Sequence, residues 1–144
     1  MIAGDFDQGI EEWNRGNKKA ALDYFEMAAQ KGDTQAMGFL ASLYYDGTGV
    51  IQDYAEAFRW RRMGVEYGSL PAMYLLGRYY EKGIGVLQDS VRAHMWYNIA
   101  SANGYQYGAM ERDYIAEKMT RDDISKAQSM AQVCMSSGYQ DCGW

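Results

Sequence analysis

Apolar positions in this chain follow a short period nested inside a long one. At short range they fall at i, i+3 and i+4, as Leu40, Leu43 and Tyr44 do, the spacing of a helix that buries one face. At long range the pattern returns after 36 residues. AMGFLASLYYDGTGVIQDYAEAFRWRRMGVEYG from Ala36 lies over AMYLLGRYYEKGIGVLQDSVRAHMWYNIASANG from Ala72, matching Leu40/Leu76, Tyr44/Tyr80, Gly47/Gly83, Gly49/Gly85, Asp53/Asp89, Ala57/Ala93, Trp60/Trp96 and Gly68/Gly104. Self-similarity at such a period marks a solenoid of two-helix units, each burying its apolar face on its neighbours.

Each full unit reads as helix A, a glycine-containing loop, and helix B. Helix A of the first full unit is expected over 36–46, ended by Gly47 and Gly49, which supply the positive φ of a helix exit. Asp53 caps helix B, with Glu56 completing a capping-box-like pair, and Ala57, Trp60 and Gly64 share one stripe before Gly68 stops the helix. The second unit repeats this through Asp89, Ala93, Trp96, Ala100 and Gly104, with Ser69 as cap and Pro71 in the first turn of its helix A. A third helix A is expected over 109–119 with its glycine loop deleted. Thr120 and Asp123 then open a last helix B bearing Ile124, Ala127, Met130, Ala131 and Cys134. The architecture predicted is a single all-α domain, 1–144, a right-handed α/α solenoid of about four antiparallel helix pairs. Its units are 5–32, 33–68, 69–104 and a capping unit, 105–144. Both indoles, Trp60 and Trp96, are expected to be buried between units.

Composition narrows the function classes. A chain of 144 residues buries about two thirds of its unfolded surface as one domain. The net charge of −5, with both signs interspersed, offers no basic face for nucleic acid and no polybasic segment for an anionic membrane. No apolar run approaches the roughly 20 residues of a membrane span. Residues 1–5 lack the charged and apolar regions of a signal peptide, so export would require a leader that this sequence does not include. Thirteen tyrosines, four tryptophans and ten methionines supply large side chains for interlocking units or for a recognition surface.

The pattern A-x3-L-[GA]-x-[LY]-Y-x2-G-x-G-V-x2-D-x3-A-x2-W-x7-G resembles the Sel-one-like repeats, relatives of the tetratricopeptide repeat. Gly9, Gly16, Ala21, Phe25 and Ala28 have the spacing of the tetratricopeptide repeat itself, with its shorter turn. MWYNIASANG followed by RDYIAEKMT and ISKAQSMA is similar to the way many bacterial members end. The resemblance covers the whole chain and implies adaptor, scaffold or partner-binding roles, since fold alone does not specify function.

Cys134 and Cys142 fall on a recurring pair of small residues, Ala28/Ala36, Gly64/Ala72 and then Ala100/Ala109 with one inserted residue. Small residues recur there because the end of one helix B closely approaches the next helix A, and such closeness is what a disulfide needs. Paired cysteines at this spacing also resemble the Cys-rich bacterial members of the family. A bridge implies a periplasmic or secreted location. Two reduced cysteines acting as small core residues in a cytoplasmic protein are the alternative.

The sequence contains no believable active site. His94 is the lone histidine, with no cysteine or serine placed for nucleophilic work, and GTG and GIG recur in register as repeat turns, not phosphate loops. No catalytic residue, cofactor, metal site or small-molecule substrate is inferred. Partner-facing positions are instead expected on the A helices, which line the concave face of a solenoid: Phe39, Ser42, Tyr45, Tyr74, Leu75, Arg78 and Arg112. Phe39 and Leu75 occupy one equivalent position and form an apolar strip, with Arg78 as an anchor for a carboxylate or carbonyl. Met37, Met73 and Met110 form a second column. The leading expectation is a non-enzymatic, exported module that binds a protein or peptide. An intracellular regulatory adaptor and a hydrolase acting on cell-wall-type substrates, the latter implied only by the Cys-rich relatives, are the other two.

Overall fold

A computed structural model describes residues 4–144, so the reading of residues 1–5 lies partly outside the described residues. The described chain is an all-α, right-handed solenoid of eight helices: α1 (Asp5–Asn14), α2 (Lys18–Gln30), α3 (Thr34–Asp46), α4 (Tyr54–Glu66), α5 (Leu70–Lys82), α6 (Ser90–Ala102), α7 (Gln106–Ala116) and α8 (Arg121–Ser136). The 36-residue period survives in the helix starts, Thr34, Leu70 and Gln106 for the A helices and Lys18, Tyr54 and Ser90 for the B helices.

Local chemistry sets these boundaries. Asp53, Ser69, Asp89 and Thr120 each accept a backbone N–H three residues on, at 3.1, 3.3, 3.0 and 3.1 Å, as expected of N-caps. Asp33 does the same for α3, accepting from Gln35 and Ala36 at 2.9 and 3.1 Å, which starts that helix two residues before the expected position. The reciprocal half of the box at Asp53 does not form. The Asp53 N–H donates to the Tyr44 carbonyl at 2.9 Å, because the loop folds back on α3, and Glu56 pairs with Arg59 instead. Gly47 and Gly83 end α3 and α5 in the left-handed region, φ 70° and 69°.

The junctions between units turn on pairs eight residues apart. A Cβ on Gly64 would lie 3.0 Å from that of Ala72, and one on Gly108 would lie 3.3 Å from that of Ala100. The third pair is therefore Ala100/Gly108, not Ala100/Ala109. Helix α7 begins three residues earlier than expected, so no insertion is needed to keep the register. The fourth pair is the disulfide, Cys134–Cys142, with Cα atoms 4.4 Å apart.

Helices pair as α1 with α2, α3 with α4 and α5 with α6, but α7 and α8 both pack on α6 and scarcely on each other. With the glycine loop gone, the short 117–120 connection sends α8 across α6. Beyond it the chain folds back. Arg92 donates from Nε and Nη2 to the Gly143 carbonyl at 3.0 and 2.7 Å, and Trp144 stacks on Trp96 with centroids 5.1 Å apart. Arg62 lies over the Trp144 ring at 4.5 Å. Trp60 and Trp96 are 5% and 0% exposed, burying both indoles as expected.

The bridge thus holds a tail that is also held by a ring stack and a bidentate arginine. Closing so short a loop contributes about 2–3 kcal/mol on the chain-entropy account. Reduction is expected to raise amide exchange in 136–144 and the end of α8 first, leaving α4 and α5 protected, because a terminal unit has one neighbour only. Exchange before and after reductant checks this; an even loss of protection along the chain would remove the terminal-staple role.

Candidate functional site

Helices α3, α4 and α5 enclose a groove of about 270 Å³ lined by Ser42, Tyr45, Asp46, Arg61, Leu75, Arg78, Tyr79, Lys82 and Ile84. Ser42, Tyr45, Leu75 and Arg78 are four of the seven side chains expected to face a partner. Two physical features shape the groove. Tyr45 and Tyr79 wall it, their rings 6.2 Å apart, with Tyr54 on the far side of Tyr45 at 5.1 Å. Arg61 reaches in from α4 and donates from Nη2 to Ser42 Oγ at 3.3 Å, while Ser42 Oγ donates to the Gly38 carbonyl at 3.1 Å. Burial pushes the Tyr79 phenol above its ordinary value, against the opposing pull of Arg61, which also hydrogen-bonds it. The hydroxyl therefore stays protonated and serves as a neutral donor or acceptor.

The other three expected side chains lie elsewhere. Phe39 is half-buried in a four-ring cluster, 4.8 Å from Phe25, 6.0 Å from Trp13 and 6.2 Å from Phe6. Phe39 and Leu75 share a register position yet meet different neighbours, because α1 and α2 set Phe6, Trp13 and Phe25 around Phe39 whereas Leu75 lines the groove. Tyr74 stands between Tyr97 and Tyr105, at 5.5 and 5.0 Å, with its phenol raised by burial against a hydrogen bond from Arg78. Arg112 is engaged by Asn98 at 2.8 Å and by Asp113 at 3.0 Å. In the methionine column, Met37 and Met73 are core residues, whereas Met110 is 69% exposed.

Sequence reasoning missed Asp46, Arg61, Tyr79, Lys82 and Ile84. Arg61 carried a legible signal: it stands where α2 has Phe25 and α6 has Tyr97, a cation breaking an aromatic column. His94 is buried with Nδ1 unpartnered, and burial first, then Arg112, lowers its pKa, so it stays neutral and away from solvent. Among the described residues no three His, Cys, Asp or Glu side chains group to hold a metal, and no helix is long and apolar enough to cross a membrane.

A family model described as Sel1 repeat matches residues 7–33, 34–68 and 70–105. The chain is similar over 60 residues, at 40% identity, to an exopolysaccharide production negative regulator of Rhizobium leguminosarum bv. viciae; the match covers 40% of this chain and 22% of that protein. The fold superposes, with a TM-score of 0.81 and 27% identity over 94% of this chain and 31% of the other, on a protective antigen present in uropathogenic Escherichia coli strains that displays an SLR fold. A Sel1 repeat protein from Oxalobacter formigenes matches with a TM-score of 0.68 and 34% identity, over 76% of this chain and 85% of that one.

Proposed function

This chain belongs to the Sel1 repeat family, and we propose that it is a non-enzymatic module binding a protein or peptide partner in the groove between α3, α4 and α5. One observation carries this reading. The groove gathers apolar, aromatic and hydrogen-bonding side chains from two successive A helices. A mixed lining of this kind gives affinity through Leu75, Tyr45 and Tyr79 and direction through Ser42 and Arg78. Phe39, Tyr74 and Arg112 contribute by holding the flanking helices, with Tyr74 at the edge of the surface.

The Cys134–Cys142 bridge supports a periplasmic or secreted location, where such a bond persists. A regulatory role like that of the Rhizobium protein fits the same mechanism, since a module that sequesters a partner represses whatever that partner does.

Affinity capture from a bacterial envelope fraction tests the reading. A partner retained by the wild-type chain is expected to be lost on Leu75→Asp, which places an acid on the apolar wall, while the thermal midpoint shows that the variant is folded. A partner held equally by both would move binding off the groove, and substrate turnover abolished by His94→Ala would replace the binding reading with an enzymatic one.

A further inference from the structure

In a chain of net charge −5, this groove collects three cations against one acid. Among the described residues Arg15, Lys31, Arg59, Arg62, Arg92 and Arg112 are ion-paired. Of the fourteen cations the other eight form no ion pair among these residues, and three of those, Arg61, Arg78 and Lys82, line the groove together, where Asp46 is the single acid.

Arg61 is the informative residue. At its register position α2 and α6 carry rings, each seated on a glycine of the partner helix. A Cβ on Gly9 would lie 2.5 Å from Phe25 Cε1, and one on Gly77 would lie 2.5 Å from Tyr97 Cδ1. The middle unit has Ala41 in place of the glycine and a guanidinium in place of the ring. Phe25 needs no polar partner and Tyr97 needs one, donating to Glu81 at 2.6 Å, whereas a guanidinium has five N–H donors to place. Ser42 and Tyr79 satisfy part of it, but Nε is buried with no acceptor. That donor is itself out of a ligand's reach, but the Arg61 side chain lines the groove, and a carboxylate is the acceptor that matches a guanidinium fork. Leu75, Ile84 and Tyr79 beside the cations favour a side chain with an apolar neighbour over a bare inorganic anion.

We propose that the groove recognises an acidic segment of a protein partner, with an aspartate or glutamate engaged by Arg61 and Arg78 and an adjacent apolar residue against Leu75 and Ile84. This rests on the binding reading above. Arg61 is the fixed element, because it is already held by Ser42. Arg78 is exposed and steers, with Lys82, through the longer-range field.

The test is selection of random octapeptides displayed on phage against the oxidised chain, followed by titration of the synthetic winners. Selected peptides are expected to be enriched in aspartate or glutamate next to an apolar residue. Their affinity is expected to fall about tenfold or more on Arg78→Gln and on Arg61→Met, and to weaken with added salt. Arg61→Met fills the space of the stem, and Arg78→Gln alters an exposed residue, so the second decides if the first does not fold. Neutral or basic winners that lose affinity on Leu75→Asp would overturn the anionic specificity and leave the groove as a binding site. Acidic winners indifferent to both arginine variants would overturn the proposal too, and an empty selection would overturn both readings.

Discussion

Trp96→Ala is expected to cost about 3–5 kcal/mol, enough to unfold a substantial fraction of a domain whose whole stability is about 5–15 kcal/mol. Three facts set the size of the effect. Trp96 is fully buried, it joins the cluster that contains Tyr97, Ile99, Ala131 and Cys134, and it carries the ring on which Trp144 stacks. Truncation therefore opens a cavity and releases the tail in the same step. Trp60→Ala is expected to cost less within that range, since its cluster already receives rings from Phe25 and its neighbours and no terminal segment depends on it. Urea titration of the two variants checks the order. A tail already released in folded Trp96→Ala would also lower that variant's slope below the wild-type one, because less new surface is exposed on unfolding.

Gly108→Val is expected to destabilise by about 3 kcal/mol or more, through overpacking of backbone against backbone. A Cβ at Gly108 would lie 2.5 Å from the Tyr97 carbonyl oxygen and 2.8 Å from the Ser101 nitrogen. Neither atom is the end of a flexible side chain, so α6 and α7 must separate to admit even a methyl group. The usual gain of replacing a helical glycine, about 1 kcal/mol for alanine and less for β-branched valine, is therefore reversed in sign here. Ala109→Val, one residue along and half-buried, is the control and is expected to change little. Equal melting temperatures for the two variants would show that the α6–α7 crossing is looser than the distances require.

Much of this fold is legible in the sequence because a solenoid writes each contact more than once. Leu40 and Leu76, or Asp53 and Asp89, can be assigned from their recurrence, and a tryptophan that returns after 36 residues takes an equivalent buried position each time. Recurring side-chain types are readable, whereas backbone contacts and features that occur once are not. Glu56 fails as a cap partner because the loop carries the Asp53 amide back to Tyr44, as it carries that of Asp89 back to Tyr80 in the next unit, a contact that no local spacing announces. Gly108 was passed over for Ala109 because either small residue fits the motif, and only the helix start decides between them. The folding back of 137–144 onto α6 has no counterpart in earlier units, so no repeat could predict it.

The candidate groove shows the same division. Ser42, Tyr45, Leu75 and Arg78 were reachable from the exposed register of the A helices. Arg61 is legible only as a break in a packing column, a cation where α2 has Phe25 and α6 has Tyr97, and not from the face of any A helix. The departure from the repeat, rather than the repeat, marks the polar floor of the groove. Phe39 illustrates the converse: a residue on the expected face is claimed by neighbouring rings that the N-terminal unit alone supplies.

The Trp96–Trp144 pair gives the molecule an optical signature of its own. Two stacked indoles with centroids 5.1 Å apart, at an interplanar angle of 25°, couple their electronic transitions, and a fixed chiral arrangement of coupled chromophores absorbs left and right circularly polarised light unequally. The tail's docking is thus written into the aromatic circular dichroism, with no label attached. Any event that lifts Trp144 from α6, whether reduction, a partner or a neighbouring chain segment, extinguishes that band while the helical signal stays in place.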